Sequence, residues 1–344
     1  MSSRPIGTLT LLLTALSACG GSNASPKDGA AGADGGTLAD AGDGGDVGTG
    51  GQPVQIRFVA RVGAAPFACG QNYPGLGIDN ADTQPADLRF YVQDVALLDE
   101  QGRATPVTLT DDGRWQQATV GLLDFENKQG ECANGTEPTN DRLVGTVAPG
   151  RYRGLRFTVG VPFALNHRQL TDSRPPLDLT ALFWSWNAGH LFLKAEASAV
   201  VASAGADAGA TGDAMGDANA DAAGQALPMD ALSDVAADAG LRARRNVFAF
   251  HAGSVMCAGN ASEGALVACA RPNRATIELP TFDPTTNKVV VDFAEIFAES
   301  RLQSLAGCHS FSGGDACTAP FRRMGVDPAT GQPSPGTQKV FRAE

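Results

Sequence analysis

Bulky apolar residues recur at every second position along much of this chain. Val54-Gln-Ile56-Arg-Phe58-Val-Ala60 and Leu88-Arg-Phe90-Tyr-Val92-Gln both alternate as half-buried strands do. Further strand candidates are Val107-Thr-Leu109, Thr119 to Phe125, Tyr152 to Val159, Asn246 to Phe250, Ala275 to Leu279 and Lys288 to Phe293. Turn chemistry separates them, as at Asp99-Glu-Gln-Gly102, Asp111-Asp-Gly113 and Pro149-Gly150. Many short strands with turns between them predict a mostly β fold: an antiparallel sandwich or barrel-like single domain. Helical spacing is confined to Phe293–Leu305, with apolar residues at Phe293, Ile296, Phe297 and Leu305, which predicts one short C-terminal helix.

The densest aromatic stretch is Leu182-Phe183-Trp184-Ser185-Trp186-Asn187-Ala188-Gly189-His190-Leu191-Phe192-Leu193-Lys194. It carries two of the three tryptophans and one of the four histidines. From Gly189 onward it reads as a strand. Two readings compete: a core strand whose indoles fill the interior, or a Trp pair beside a histidine in a metal or redox site.

Two segments break the pattern. Residues 20–52 and 202–240 are mostly Gly, Ala, Asp and Ser, and cannot bury enough surface to offset the entropy of ordering. They read as a flexible tether and a disordered acidic insertion in a surface loop. Together they hold the whole formal charge of −11. The rest is near neutral, which excludes a basic footprint for nucleic acid. The β domain is assigned to 53–325, interrupted by the insertion, with a weakly ordered tail at 326–344.

The first 19 residues join Arg4, a short apolar run and Leu16-Ser17-Ala18-Cys19. The run is too short to span a bilayer as a helix and reads as a secretory signal. Its end resembles a bacterial lipoprotein signal, so lipidation at Cys19 would anchor the exported chain to a membrane surface. No Asp follows the cysteine, which in a Gram-negative cell favours the outer membrane, at its periplasmic or surface face.

Six cysteines remain: Cys69, Cys132, Cys257, Cys269, Cys308 and Cys317. An even number in an exported chain suggests disulfides, and sequence alone permits fifteen pairings. Proximity favours Cys257–Cys269 and Cys308–Cys317, leaving Cys69–Cys132. A zinc site is the alternative, though no Cys-x-x-Cys is present.

The familiar catalytic arrangements are missing: no Gly-x-Ser-x-Gly, no phosphate loop with Lys, no His-Glu-x-x-His. The scattered carboxylates offer no distinctive acid/base pair, so a hydrolase reading has no residue behind it. His167, His190, His251 and His309 are the candidate ligands, since imidazole suits copper and zinc. Met256 is a soft thioether, with gap filling as its alternative task.

Several motifs, in order, carry a resemblance: Ile56-Arg-Phe58, Phe67-Ala-Cys69-Gly, Leu88-Arg-Phe90-Tyr-Val92-Gln-Asp-Val, Asp112-Gly-Arg-Trp115-Gln, Leu123-Asp-Phe125-Glu, Gly160-Val-Pro-Phe-Ala-Leu-Asn-His167, Leu182-Phe-Trp-Ser-Trp186 and Phe250-His-Ala-Gly-Ser. This set is similar to the MbnP-like family, the four-Cys partners of the "metallo-mystery pair". The resemblance implies an exported β-rich protein with no turnover of its own. It implies a di-haem partner resembling cytochrome c peroxidase, which oxidises a Trp of the chain to kynurenine, and copper binding by the modified protein, as Cu(I). Carried onto this chain, Trp184, Trp186 and Trp115 are the candidates for oxidation. His167 and His251 are the candidate ligands beside Trp184 or Trp186, with His190 a further one. The competing reading is a structural or adhesive β-sandwich lipoprotein with no metal.

Overall fold

The alternation in β1 (Gln52–Val62) becomes burial. Ile56, Phe58, Ala60 and Val62 point inward, while the residues between them stay half-exposed. The computed structural model describes residues 51–117, 119–185, 188–201, 245–260, 265–304, 307–310 and 314–344. The signal segment with Cys19, the tether and the 202–240 insertion lie outside the described residues.

After β1 come the long β2 (Ala81–Leu98), β3 (Val120–Asp124), β4 (Arg142–Val147) and β5 (Gly154–Val159). A short helix, α1 (Phe163–Asn166), leads to a small hairpin of β6 (Phe183–Ser185) and β7 (Gly189–His190). β8 (Leu193–Val200) and β9 (Arg245–Ala252) pair with each other. A second separate hairpin joins β10 (Val255–Asn260) to β11 (Ala265–Arg271). The chain ends with β12 (Ala275–Leu279), β13 (Val289–Asp292), α2 (Phe293–Phe297), β14 (Cys308–His309), α3 (Asp315–Met324) and β15 (Phe341–Ala343).

One sheet runs β15-β13-β1-β4, with Thr108–Leu109 on its edge. The other runs β12-β5-β2-β8-β9-β14, with β3 also on β2. The 18 residues of β2 organise this second sheet: β8 pairs with its first half and β5 with its second. The two sheets share one apolar core. At its centre Phe58 meets Phe90 and Phe157 at ring-centroid distances of 6.1 and 5.7 Å. Phe341 closes the group at 5.6 Å from Phe90 and 5.5 Å from Phe157. The arrangement is a β-sandwich and no closed barrel forms among the described residues. The three disulfides are Cys69–Cys132, Cys257–Cys269 and Cys308–Cys317.

The pairing is mostly antiparallel, as expected, with β1–β13 and β9–β14 running parallel. Three expectations are corrected. The helix predicted over Phe293–Leu305 stops at Phe297, after a start capped by the Asp292 carboxylate, which accepts from Ala294 N at 3.1 Å. A second helix, α3, begins within the Cys308–Cys317 staple and runs on to Met324, where the sequence predicts no helix. Its buried Cys317, Pro320, Phe321 and Met324 stand at helical spacing, but Gly313-Gly314 before it and Pro320 within it disguise the pattern. The tail is tied down: β15 pairs antiparallel with β13, and Val340 and Phe341 are buried in the core.

Candidate metal centre

Where the chain leaves β5, Gly160-Val-Pro-Phe-Ala-Leu-Asn-His167 makes one tight helical turn. Pro162 O accepts from Leu165 N and Asn166 N, both at 2.9 Å. The turn buries Asn166 completely and leaves His167 half-buried. The Asn166 side chain then fixes its neighbours. Its Oδ1 accepts from His190 N at 2.9 Å, so its Nδ2 faces the other way, 3.1 Å from His167 Nε2. An amide nitrogen only donates, so Nε2 carries the lone pair of that imidazole. The same Nε2 stands 3.5 Å from Cys269 Sγ and 3.9 Å from Cys257 Sγ. The ring of Phe163 packs edge-on at 5.1 Å.

Trp184, on β6, is half-buried against a small apolar cluster that includes Tyr91, Leu182, Leu191 and Phe192. Its indole passes over Gly253, where an added Cβ would lie 2.8 Å from Cζ3 of Trp184 and 2.9 Å from His190 O. Gly189, at φ +81°, lets Asn166 approach in the same way, since a Cβ there would stand 2.3 Å from Nδ2. Two glycines therefore let Trp184, His190 and Asn166 close around the β9–β10 connection. Gly253→Ala should cost ~1–3 kcal/mol through overpacking and displace the indole. Chemical denaturation with near-ultraviolet circular dichroism checks both, and an unchanged aromatic spectrum would separate Gly253 from Trp184.

The other candidates are distributed as follows. Trp186 lies outside the described residues. Trp115 packs on the same apolar cluster as Trp184 and has the Arg114 guanidinium 4.6 Å from its ring centroid. His190 is corrected as a ligand. It is fully buried, its Nδ1 and Nε2 face the carbonyls of Asn166 and Leu177 at 3.1 and 2.9 Å, and burial holds its pKa below the usual histidine range. Met256 is not a gap filler: it is 67% exposed, at a left-handed φ of 57°, immediately before Cys257.

His251 enters a different network. Its Nε2 is 2.6 Å from Glu196 Oε1, and its ring lies 4.6 Å from that of His309. Strand register sets Arg89, Lys194, His251 and His309 side by side across four strands. Asp87 and Glu196 form the next rung on that face. Lys194 Nζ bridges Asp87 at 2.9 Å and Glu196 at 3.4 Å. Arg89 grips Asp87 through Nε at 2.9 Å and Nη2 at 2.5 Å, with Glu126 at 3.5 Å. The carboxylates that look scattered in sequence thus converge in a charged ladder, buried at its inner end.

Asp124, beside Arg89 on β3, sits at that inner end. Burial, then Glu126, raises its pKa to about 8. The native state therefore holds a proton there that the unfolded chain releases near pH 4. Stability should fall as pH rises from about 4 toward about 8, because the native form must lose that proton or hold it at increasing cost. Asp124→Asn should flatten this dependence in urea titrations at several pH values. An unchanged slope would place the proton elsewhere in the ladder.

Among the described residues, one group of three donors lies close enough to hold a metal ion: His167, Cys257 and Cys269. The two sulfurs are bonded to each other, and the His167 Nε2 accepts from Asn166 Nδ2. A family model described as MbnP matches residues 51–310. Among solved structures, MbnP from Methylosinus trichosporium aligns with a TM-score of 0.66 and 28% identity, over 85% of this chain and 98% of that one. No curated protein matches the chain.

Proposed function

The chain belongs to the MbnP family, and from that premise we propose that it is an exported, lipid-anchored copper-binding protein completed by oxidation of Trp184. The partner is a di-haem enzyme resembling cytochrome c peroxidase. The chain is its substrate and then a binder, with no turnover of its own.

One observation carries the choice of site. Asn166 fixes the His167 ring by donating to its Nε2, which stands 3.5 Å from Cys269 Sγ on the β10–β11 hairpin. The same side chain accepts from His190 N beside Gly253, over which Trp184 lies. A copper ion at Nε2 would take the place of the amide hydrogen bond. The donor chemistry then explains why a tryptophan must be altered. An indole N–H donates a hydrogen bond and offers a metal nothing. Oxidative cleavage of the indole 2,3-bond, with two equivalents of peroxide reduced to water at the di-haem partner, gives N-formylkynurenine. Hydrolysis then releases C2 as formate to leave kynurenine, with an aniline amine and an aryl ketone. His167 would supply the imidazole and Met256 an exposed thioether. Imidazole and thioether suit Cu(I), whereas the carboxylates that suit harder ions are gathered in the ladder. Trp184 is favoured over Trp115 because the latter's ring is covered by Arg114.

Peptide mass spectrometry on protein from its native host tests the reading. The expected result is kynurenine at Trp184 and an acylated N-terminal Cys19. Unmodified Trp184 in cells that express the di-haem partner would overturn the oxidation and favour a metal-free surface lipoprotein. Kynurenine at Trp115 would move the site.

A further inference from the structure

We propose that the Cys257–Cys269 bridge is a redox-opened gate to a second, soft-metal site, in which both thiolates and His167 Nε2 hold a d10 cation. This site uses His167 but needs neither kynurenine nor a partner peroxidase, so it does not rest on the copper reading above.

The geometry is nearly complete before reduction. With bonds of about 2.3 Å to sulfur and about 2.1 Å to nitrogen, a three- or four-coordinate d10 ion spaces its ligands roughly 3.6–3.8 Å apart. The two nitrogen–sulfur separations are 3.5 and 3.9 Å. Only the sulfur–sulfur edge, closed by the covalent bond, must widen. Cys257 and Cys269 are directly opposed across the β10–β11 hairpin. That hairpin is a sheet of its own, so the bridge can open without unpairing either face of the sandwich. The Nε2 lone pair accepts from Asn166 Nδ2 in the oxidised protein, so the cation would displace that hydrogen bond on entering.

Exposure singles out this bridge from the other two. Cys257, Cys269 and His167 are all half-buried. Cys132 and Cys308 are fully buried, and their partners Cys69 and Cys317 are 9% and 5% exposed. A reductant therefore reaches Cys257–Cys269 first, and accessible disulfides are the labile ones. The exchange balances with a dithiol as reductant. One thiolate attacks a bridge sulfur, the second closes a disulfide in the reductant, and two protons end on Cys257 and Cys269. Cation binding then releases those protons to solvent. Reoxidation by a disulfide returns the bridge and expels the cation.

The test uses the full chain carrying Trp184→Phe, which removes the kynurenine route. After brief dithiothreitol treatment and anaerobic desalting, differential alkylation should label Cys257 and Cys269 ahead of the four cysteines of the other two disulfides. Titration with Zn(II), and separately with Cu(I), should then show one tight equivalent per chain that is absent before reduction. Co(II) should give a thiolate charge-transfer band. Cys257→Ser with Cys269→Ser should abolish the uptake. Equal labelling of all cysteines, no uptake by the reduced chain, or uptake that survives the double Ser variant would each overturn the proposal.

Discussion

Arg89→Met should destabilise the domain by ~3–5 kcal/mol, the cost of removing one partner from a buried ion pair. Arg89 is 1% exposed, as are Asp87, Asp124 and Glu126 around it. Burial works against its charge, yet the Asp87 hydrogen bond and the neighbouring carboxylates hold its pKa above even the usual arginine value. Methionine fills similar volume, so the loss is mainly electrostatic. Lys194 would remain on Asp87, but Glu126 would keep no cation within 4 Å among the described residues. The inner carboxylates would then take up protons, and the variant should recover stability as pH falls. Urea denaturation at neutral and mildly acidic pH measures both effects. A loss below ~1 kcal/mol, or one independent of pH, would mean that the ladder is not a coupled unit.

The ladder also marks where sequence reading runs out. Alternation in Leu88-Arg-Phe90 identifies the strand and the core-facing side, and places Arg89 on the opposite face. On a two-layer sandwich the opposite face reads as solvent. Here the segment after Phe125 crosses it: Thr136 N bonds Glu126, Glu131 accepts from Ser198, and Cys132 Sγ lies 3.4 Å from Pro85 O. The cover is a loop held by the Cys69–Cys132 bridge, and no periodicity encodes a loop's path. The site is legible to a similar depth. His167 and Trp184 stand out as residue types, and the short spacings of Cys257–Cys269 and Cys308–Cys317 reveal their pairing. Asn166 attracts no notice beside a histidine, although its amide decides which ring nitrogen carries the lone pair. Gly189 and Gly253 matter through the rings and amides that approach them from distant segments, a property with no local signal. His190 shows the reverse case, a conspicuous histidine that is fully buried with both ring nitrogens facing backbone carbonyls.

His167→Ala should remove copper from the protein as isolated from its host, while Trp184 is still converted to kynurenine. The oxidation needs access to the indole and makes no use of the imidazole, so modification and metal binding should separate in this variant. Loss of a direct ligand should exceed the ~10–100-fold penalty for losing a ligand's hydrogen-bonding partner. Competition against a Cu(I) chelator, with all three disulfides oxidised, measures it and keeps the thiolate chemistry of Cys257 and Cys269 out of the result. His251→Ala makes the opposite expectation. Its imidazole is engaged by Glu196 at 2.6 Å, so its loss should disturb the ladder and lower stability with copper affinity little changed. Should His251→Ala lose copper while His167→Ala retains it, the metal would belong to the His251–His309 end of the ladder.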